Sequence, residues 1–110
     1  MYEVNAGILI MTETTERILK AIKKVPKGKV SCYRNIALRS GLSAGGARQV
    51  VRALHSMSDA HALPWHRIIR ADGAIALPAG GGRELQMELL RAEGVAVSKE
   101  GRVDMEKYGV

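Results

Sequence analysis

The sequence contains a single cysteine, Cys32, which excludes an internal disulfide, and it has no Cys/His grouping with metal-ligand spacing. Neither a metal nor a cofactor is therefore expected, and a reducing cytoplasm is the expected compartment. No stretch is long and apolar enough to span a bilayer, and Met1 to Ile10 lacks the basic start of a secretory signal, so no membrane partner is expected. No internal repeat, linker or block of like charge divides the chain. Acidic residues are in deficit, 11 Asp and Glu against 17 Lys and Arg, which gives a net charge of +6 and a pI near 9.8. That balance favours a polyanionic partner, nucleic acid first, over an acidic small molecule, but a basic pI alone does not decide the matter.

What is present reads as several short helices. Thr12 or Thr14 caps a helix whose apolar residues Ile18, Leu19 and Ile22 share one face, and Pro26-Lys27-Gly28 stops it. Ser31 is expected to cap a short helix from Tyr33 to Ser40, with Gly41 as its C-terminal turn. Ser43 is expected to cap a further helix to about Ser56, and two helices separated by Gly41-Leu42-Ser43 suggest a helix-turn-helix. Ala47, Val50, Val51 and Leu54 have the spacing of a buried stripe on that second helix. Arg48, Arg52 and His55 project together from its other side, while Gly45 and Gly46 leave its first turn nearly bare.

A polar loop is expected from Ser56 to His61. Beyond it, Trp65 to Ile69 and Ala74 to Leu77 flank Asp72-Gly73, a strong hairpin-turn signal that predicts a short wing. Pro78-Ala79-Gly80-Gly81-Gly82 leads into a last helix with Leu85, Leu89 and Ala92 on one face, ending at Glu93-Gly94. The fold class expected is mainly α with a small β hairpin, a winged helix-turn-helix DNA-binding domain. Residues 11–110 are expected to form that single domain. Residues 1–10 read as an N-terminal extension, native or not, upstream of a second start at Met11. Glu3 is their one charged residue, so without them +6 becomes +7.

Four segments taken in order, Val30-Ser31-Cys32-Tyr33-Arg34-Asn35-Ile36-Ala37, Ala47-Arg48-Gln49-Val50, Pro64-Trp65-His66-Arg67-Ile68-Ile69 and Leu89-Leu90-Arg91-Ala92-Glu93-Gly94, resemble the C-terminal domain of O6-alkylguanine-DNA alkyltransferases. The resemblance covers most of residues 12–97. Where that family has Pro-Cys-His-Arg, with a cysteine that accepts the alkyl group irreversibly, this chain has Trp65. It is therefore more similar to the alkyltransferase-like proteins, which carry tryptophan there. The tail, Gly101-Arg102-Val103-Asp104 with Tyr108-Gly109, also resembles their bacterial members.

The substitution has a chemical meaning apart from any family. Dealkylation needs a polarizable thiolate and a base to take its proton, whereas the indole nitrogen is only a donor and its lone pair belongs to the ring. Alkyl transfer at Trp65 is thus excluded, and no catalytic residue is expected. Indole can instead offer a flat apolar surface for a base or an alkyl group, the alternative being a plain core tryptophan. The expected lesion pocket comprises Trp65, Pro64, Pro78, Ala79 and Gly80, with Gly80 to Gly82 keeping it roomy.

The resemblance implies that a nucleotide is rotated out of the duplex, that Arg48 fills the vacancy, and that Tyr33 crowds the neighbouring phosphate. The DNA-binding residues expected are Tyr33, Gly45, Gly46, Ala47, Arg48 and Arg52, in keeping with close approach of a small-residue helix in a minor groove. A simple phosphate contact for Arg48 and a core-packing role for Tyr33 stay open. His66 and Glu93 match the pair that activates the family's cysteine; without a thiol they are expected to be a structural relic. Arg67 either joins that relic or touches phosphate. Glu93 is unusual in its own right, because a carboxylate at a helix C-terminus opposes the macrodipole and calls for a local partner.

Two departures stand out. Met57 replaces an asparagine that braces the active-site loop in many alkyltransferases, and Pro78 has no N–H to offer guanine O6. The function expected is a monomeric, non-enzymatic sensor of O6-alkylguanine in double-stranded DNA, directing the lesion to nucleotide excision repair proteins. The alternatives are a winged helix-turn-helix transcription regulator and an enzyme using Cys32. The regulator is disfavoured because glycine and alanine occupy the turn where base-reading side chains normally sit. Cys32 reads instead as a small buried filler.

Overall fold

Thr12 accepts a hydrogen bond from the Thr15 amide at 3.1 Å and caps helix α1, Glu13–Lys23. Acidic Glu13 and Glu16 lie in its first turn and Lys20 and Lys23 in its last, each sign matching the helix dipole. Ile18, Leu19 and Ile22 are buried as their spacing predicts. The computed structural model describes residues 12–110, so the expected extension at 1–10 lies outside the described residues.

After Gly28 turns the chain at φ +87°, strand β1, Ser31–Cys32, runs straight into helix α2, Tyr33–Arg39. Ser31 does not cap α2. The cap position is Cys32, which makes no side-chain cap bond, and the buried Ser31 hydroxyl donates to the Val110 carbonyl at 3.1 Å. Ser31 stands one residue before the cap position, and its hydroxyl is engaged across the fold with the C-terminal segment.

Gly41, at φ +85°, ends the turn after α2, and a single 3-10 turn, Ala44–Gly46, precedes helix α3, Ala47–His61. The two-helix arrangement matches the helix-turn-helix expectation, but α3 starts later and runs further than its sequence suggests. The Ser56 and Ser58 hydroxyls donate back to the Arg52 and Leu54 carbonyls, so the polar run 56–61 continues the helix instead of forming a loop. The buried face of α3 is also rotated. Val50 and Ala53 are buried and Leu54 and Met57 pack against the core, whereas Val51 is 37% exposed.

Helix α3 closes with Ala62 in the left-handed region at φ 51° and the Leu63 amide donating to the Ser58 carbonyl at 3.0 Å. Alanine here bears a steric cost of about 1–2 kcal/mol that glycine escapes, against glycine's extra unfolded-state entropy of about 0.5–1 kcal/mol. Ala62→Gly is therefore expected to stabilise the protein by about 0.5–1 kcal/mol. Thermal unfolding checks this, and an unchanged or lower Tm would contradict it.

The predicted wing is not formed as a hairpin. The Asp72-Gly73 turn is present, with Gly73 at φ +89° and the Arg70 amide donating to the Ala74 carbonyl, but the flanking arms diverge. Trp65–Arg67 is a 3-10 turn, and strand β2, Ile68–Ile69, pairs in parallel with β1 in the register Ser31 to Ile68 and Cys32 to Ile69. Ala74 bridges Arg102 instead. Ile68 and Ile69 are both fully buried, on opposite faces of the strand, and an exposed wing cannot bury both. The mainly helical fold stands, with a two-stranded parallel sheet at its centre.

Strand β2 lies at the seam between two hydrophobic clusters. Ile68 belongs to the one built from α1, α2 and α3, and Ile69 to the one it forms with Val30, Ile75, Met87, Leu90, Val95, Val97 and Val103. Helix α4, Arg83–Ala92, buries Gln86, Met87 and Leu90 in place of the predicted face, and Leu85 is 50% exposed. The short helix α5, Met105–Tyr108, is capped by Asp104 and brings Gly109 and Val110 alongside Val30.

Candidate nucleic-acid interface

A cleft of about 460 Å³ opens between α3 and the segment that carries Trp65. Val51, Leu54, His55, Ser58 and Asp59 of α3 form one wall. Trp65, Ile68, Leu77, Gly81, Leu85 and Gln86 form the other, and Tyr33 of α2 contributes its ring. Of the pocket residues expected from sequence, Trp65 lines this cleft and Pro64, Pro78, Ala79 and Gly80 do not. The glycine loop folds on itself: the Gly81 amide donates to the Pro78 carbonyl at 2.9 Å and the Gly80 amide to the Glu84 carboxylate at 3.0 Å. That turn leaves Pro78, Ala79 and Gly80 exposed and delivers Leu77 and Gly81 to the cleft.

Trp65 is half-buried and meets His66 edge-on, with ring centroids 6.0 Å apart at 85°. Behind this turn, Glu93 binds three groups. It accepts two hydrogen bonds from the Arg67 guanidinium, at 3.0 and 2.7 Å, and pairs with His66 Nε2 at 2.9 Å. The Gly28 amide donates to it more weakly, at 3.4 Å. The Arg67 bonds above all, then His66 and the Gly28 amide, hold the Glu93 carboxyl at about 2 against the upward push of burial. Arg67 also donates to the Val25 carbonyl at 2.9 Å, which commits this side chain to the framework. The partner that Glu93 needs at the end of α4 is thus Arg67, and the group ties α4 to the Trp65 turn and to the end of α1.

Gln86 is a residue that sequence reasoning missed. It is 2% exposed, and its carboxamide donates to the carbonyls of His66 at 3.1 Å and Ile68 at 3.3 Å, gripping the turn on both sides of Arg67. Met57, where an asparagine brace was lacking, packs against the first cluster, so Gln86 supplies a polar brace from the other side. Its only signal in the sequence is a polar residue between the apolar positions of α4.

Helix α3 carries two exposed arginines near its start. Arg48 and Arg52 are exposed, and neither pairs with a carboxylate among the described residues. Gly45 and Gly46 differ in what they do. A Cβ on Gly45 would meet nothing closer than the Ser43 hydroxyl at 3.6 Å, whereas one on Gly46 would lie 2.8 Å from Leu42 Cβ. Gly46 is therefore required by packing inside the protein, and the bare surface is that of Gly45 with half-buried Ala47 beside it. Tyr33 packs on the core and also lines the cleft. Burial raises the pKa of its hydroxyl, which stays a neutral donor and acceptor. Cys32 is buried and does not line the Trp65 cleft. Among the described residues no group of three or more His, Cys, Asp or Glu could hold a metal ion.

The arrangement offers an exposed arginine at a helix start and, along the same helix, a cleft with an aromatic wall. Residues 13–95 match a family model described as 6-O-methylguanine DNA methyltransferase, DNA binding domain. The chain is 40% identical over 100 residues to a DNA base-flipping protein of Vibrio parahaemolyticus, covering 89% of this chain and 96% of that protein. It is 34% identical over 88 residues to Alkyltransferase-like protein 1 of Schizosaccharomyces pombe, covering 79% and 81% of the two chains. The crystal structure of S. pombe Atl1 in complex with damaged DNA containing O6-carboxymethylguanine superposes with a TM-score of 0.81 at 30% identity, over 92% of this chain and 97% of that one.

Proposed function

Because this chain belongs, with its alkyltransferase-like relatives, to the family of 6-O-methylguanine DNA methyltransferase DNA-binding domains, we propose that it is a non-enzymatic sensor of O6-alkylguanine in duplex DNA. It approaches through the minor groove, rotates the damaged nucleotide out of the stack and holds the base in the Trp65 cleft. The observation that carries this reading is the cleft itself. At about 460 Å³ it has the volume of a small-molecule site, and it presents indole and phenol surfaces where the resemblance places an alkyl-accepting cysteine. Stacking of a base on such a surface is worth about 1–3 kcal/mol. Binding without alkyl transfer follows from the indole, which has no lone pair to give. His66 and Glu93 then serve to hold the Trp65 turn in place.

Retention of the flipped base is itself the signal, and the resemblance extends the reading to recruitment of nucleotide excision repair by a monomer. Titrating labelled duplexes that differ only in one O6-methylguanine tests the core of it. The damaged duplex is expected to bind about tenfold more tightly, a difference of about 1.4 kcal/mol, with the adduct recovered intact. Equal affinities, or alkyl label found on the protein, would overturn the reading.

A further inference from the structure

We propose that the cleft selects among O6 substituents by charge, with Asp59 favouring alkyl groups that end in a cation or a hydrogen-bond donor over those that end in a carboxylate. The inference rests on the base-pocket reading above and names the lesion class that the pocket prefers.

At 1.5 Å per residue, Asp59 lies about 16 Å along helix α3 from Arg48, the residue expected in the duplex. The wall that α3 gives the cleft therefore starts near the DNA at Val51 and ends far from it at Ser58 and Asp59. A base entering from the Arg48 end directs a long substituent toward the Asp59 end. Between these ends the lining includes apolar Leu54, Leu77 and Leu85, suited to methylene groups. Among the described residues Asp59 is the one carboxylate in the lining, and neither Lys nor Arg lines it. It is exposed and forms no ion pair among the described residues. The Ser58 hydroxyl hydrogen is committed to the Leu54 carbonyl, which leaves its oxygen as an acceptor. A terminal ammonium or amide N–H thus meets acceptors at this end, and a terminal carboxylate meets a like charge with no Lys or Arg among the described lining residues to offset it.

Duplexes carrying O6-(2-aminoethyl)guanine and O6-carboxymethylguanine, similar in length and opposite in charge, test this by equilibrium binding to the wild-type protein and to Asp59→Asn. The DNA phosphates act on both adducts in both proteins, so the informative quantity is the ratio of the two affinities. That ratio is expected to favour the aminoethyl adduct about tenfold more in the wild-type protein than in the variant. Asp59→Lys should reverse the preference. Equal ratios in wild type and Asp59→Asn would overturn the charge selection while leaving lesion binding intact. Loss of all preference for O6-methylguanine over guanine in the wild-type protein would instead remove the base-pocket reading, and this inference with it.

Discussion

Replacing Arg48 with alanine is expected to lower affinity for a duplex containing O6-methylguanine by about thirtyfold, while affinity for the unmodified duplex falls no more than about threefold. The asymmetry is the point of the experiment. Arg48 stands exposed on the first turn of α3, without a carboxylate partner among the described residues, so its removal costs the fold little. If the guanidinium enters the stack in place of the rotated nucleotide, its loss falls only on the complex in which a nucleotide has left. If it merely neutralises a phosphate, both duplexes lose affinity equally and the salt dependence of each drops by about one ion. Fluorescence titration of the two duplexes over a range of salt separates these outcomes, and equal losses would sink the insertion role.

Glu93→Ala is expected to destabilise the protein by about 3 kcal/mol, because it strands the Arg67 guanidinium with only the Val25 carbonyl for company. Arg67 and Glu93 are only 17% and 12% exposed, which separates this pair from the surface ion pairs of Arg17 and Arg70, from which little stability is expected. The pH dependence follows from the sign of the shift. The folded carboxyl titrates at about 2 against an ordinary 4.5, so its contribution is complete above about pH 4.5 and is lost as the pH falls toward 2. Asp72, through the Ala74 amide, and Glu84, through the Gly80 amide, also have lowered pKa values. The diagnostic is therefore the difference between wild type and Glu93→Gln in urea midpoints measured from pH 5 to pH 2. The gap should narrow as the pH falls, and a constant gap would show that the carboxylate charge contributes nothing.

Serine at 56 and 58 looks like a loop signal, yet each hydroxyl returns to its own helix, and the last turns of α3 run on to His61. Those turns carry Ser58 and Asp59. Once the helix is extended to His61, the spacing of 51, 54, 55, 58 and 59 marks the cleft wall in the sequence itself. The misplaced stripes of α3 and α4 arose because Val51 and Leu85 are apolar without being core. Both border a cleft, and periodicity does not distinguish an apolar residue facing a ligand site from one facing the interior.

Local chemistry decided a good deal of this protein. The cap at Thr12, the glycine turns at 28, 41, 73 and 94, and the positive charge are properties of neighbouring residues or of composition, legible without a fold. So is the inability of indole at position 65 to act as a nucleophile. Tertiary structure alone decided where β2 would pair, since parallel pairing of Ile68 and Ile69 with Ser31 and Cys32 joins segments more than thirty residues apart. It likewise bound Arg67 to Glu93 and turned the Gln86 carboxamide onto the Trp65 turn. Each of these depends on a partner distant in the chain, and the hydrogen bond or buried surface that rewards it exists only after the chain has closed.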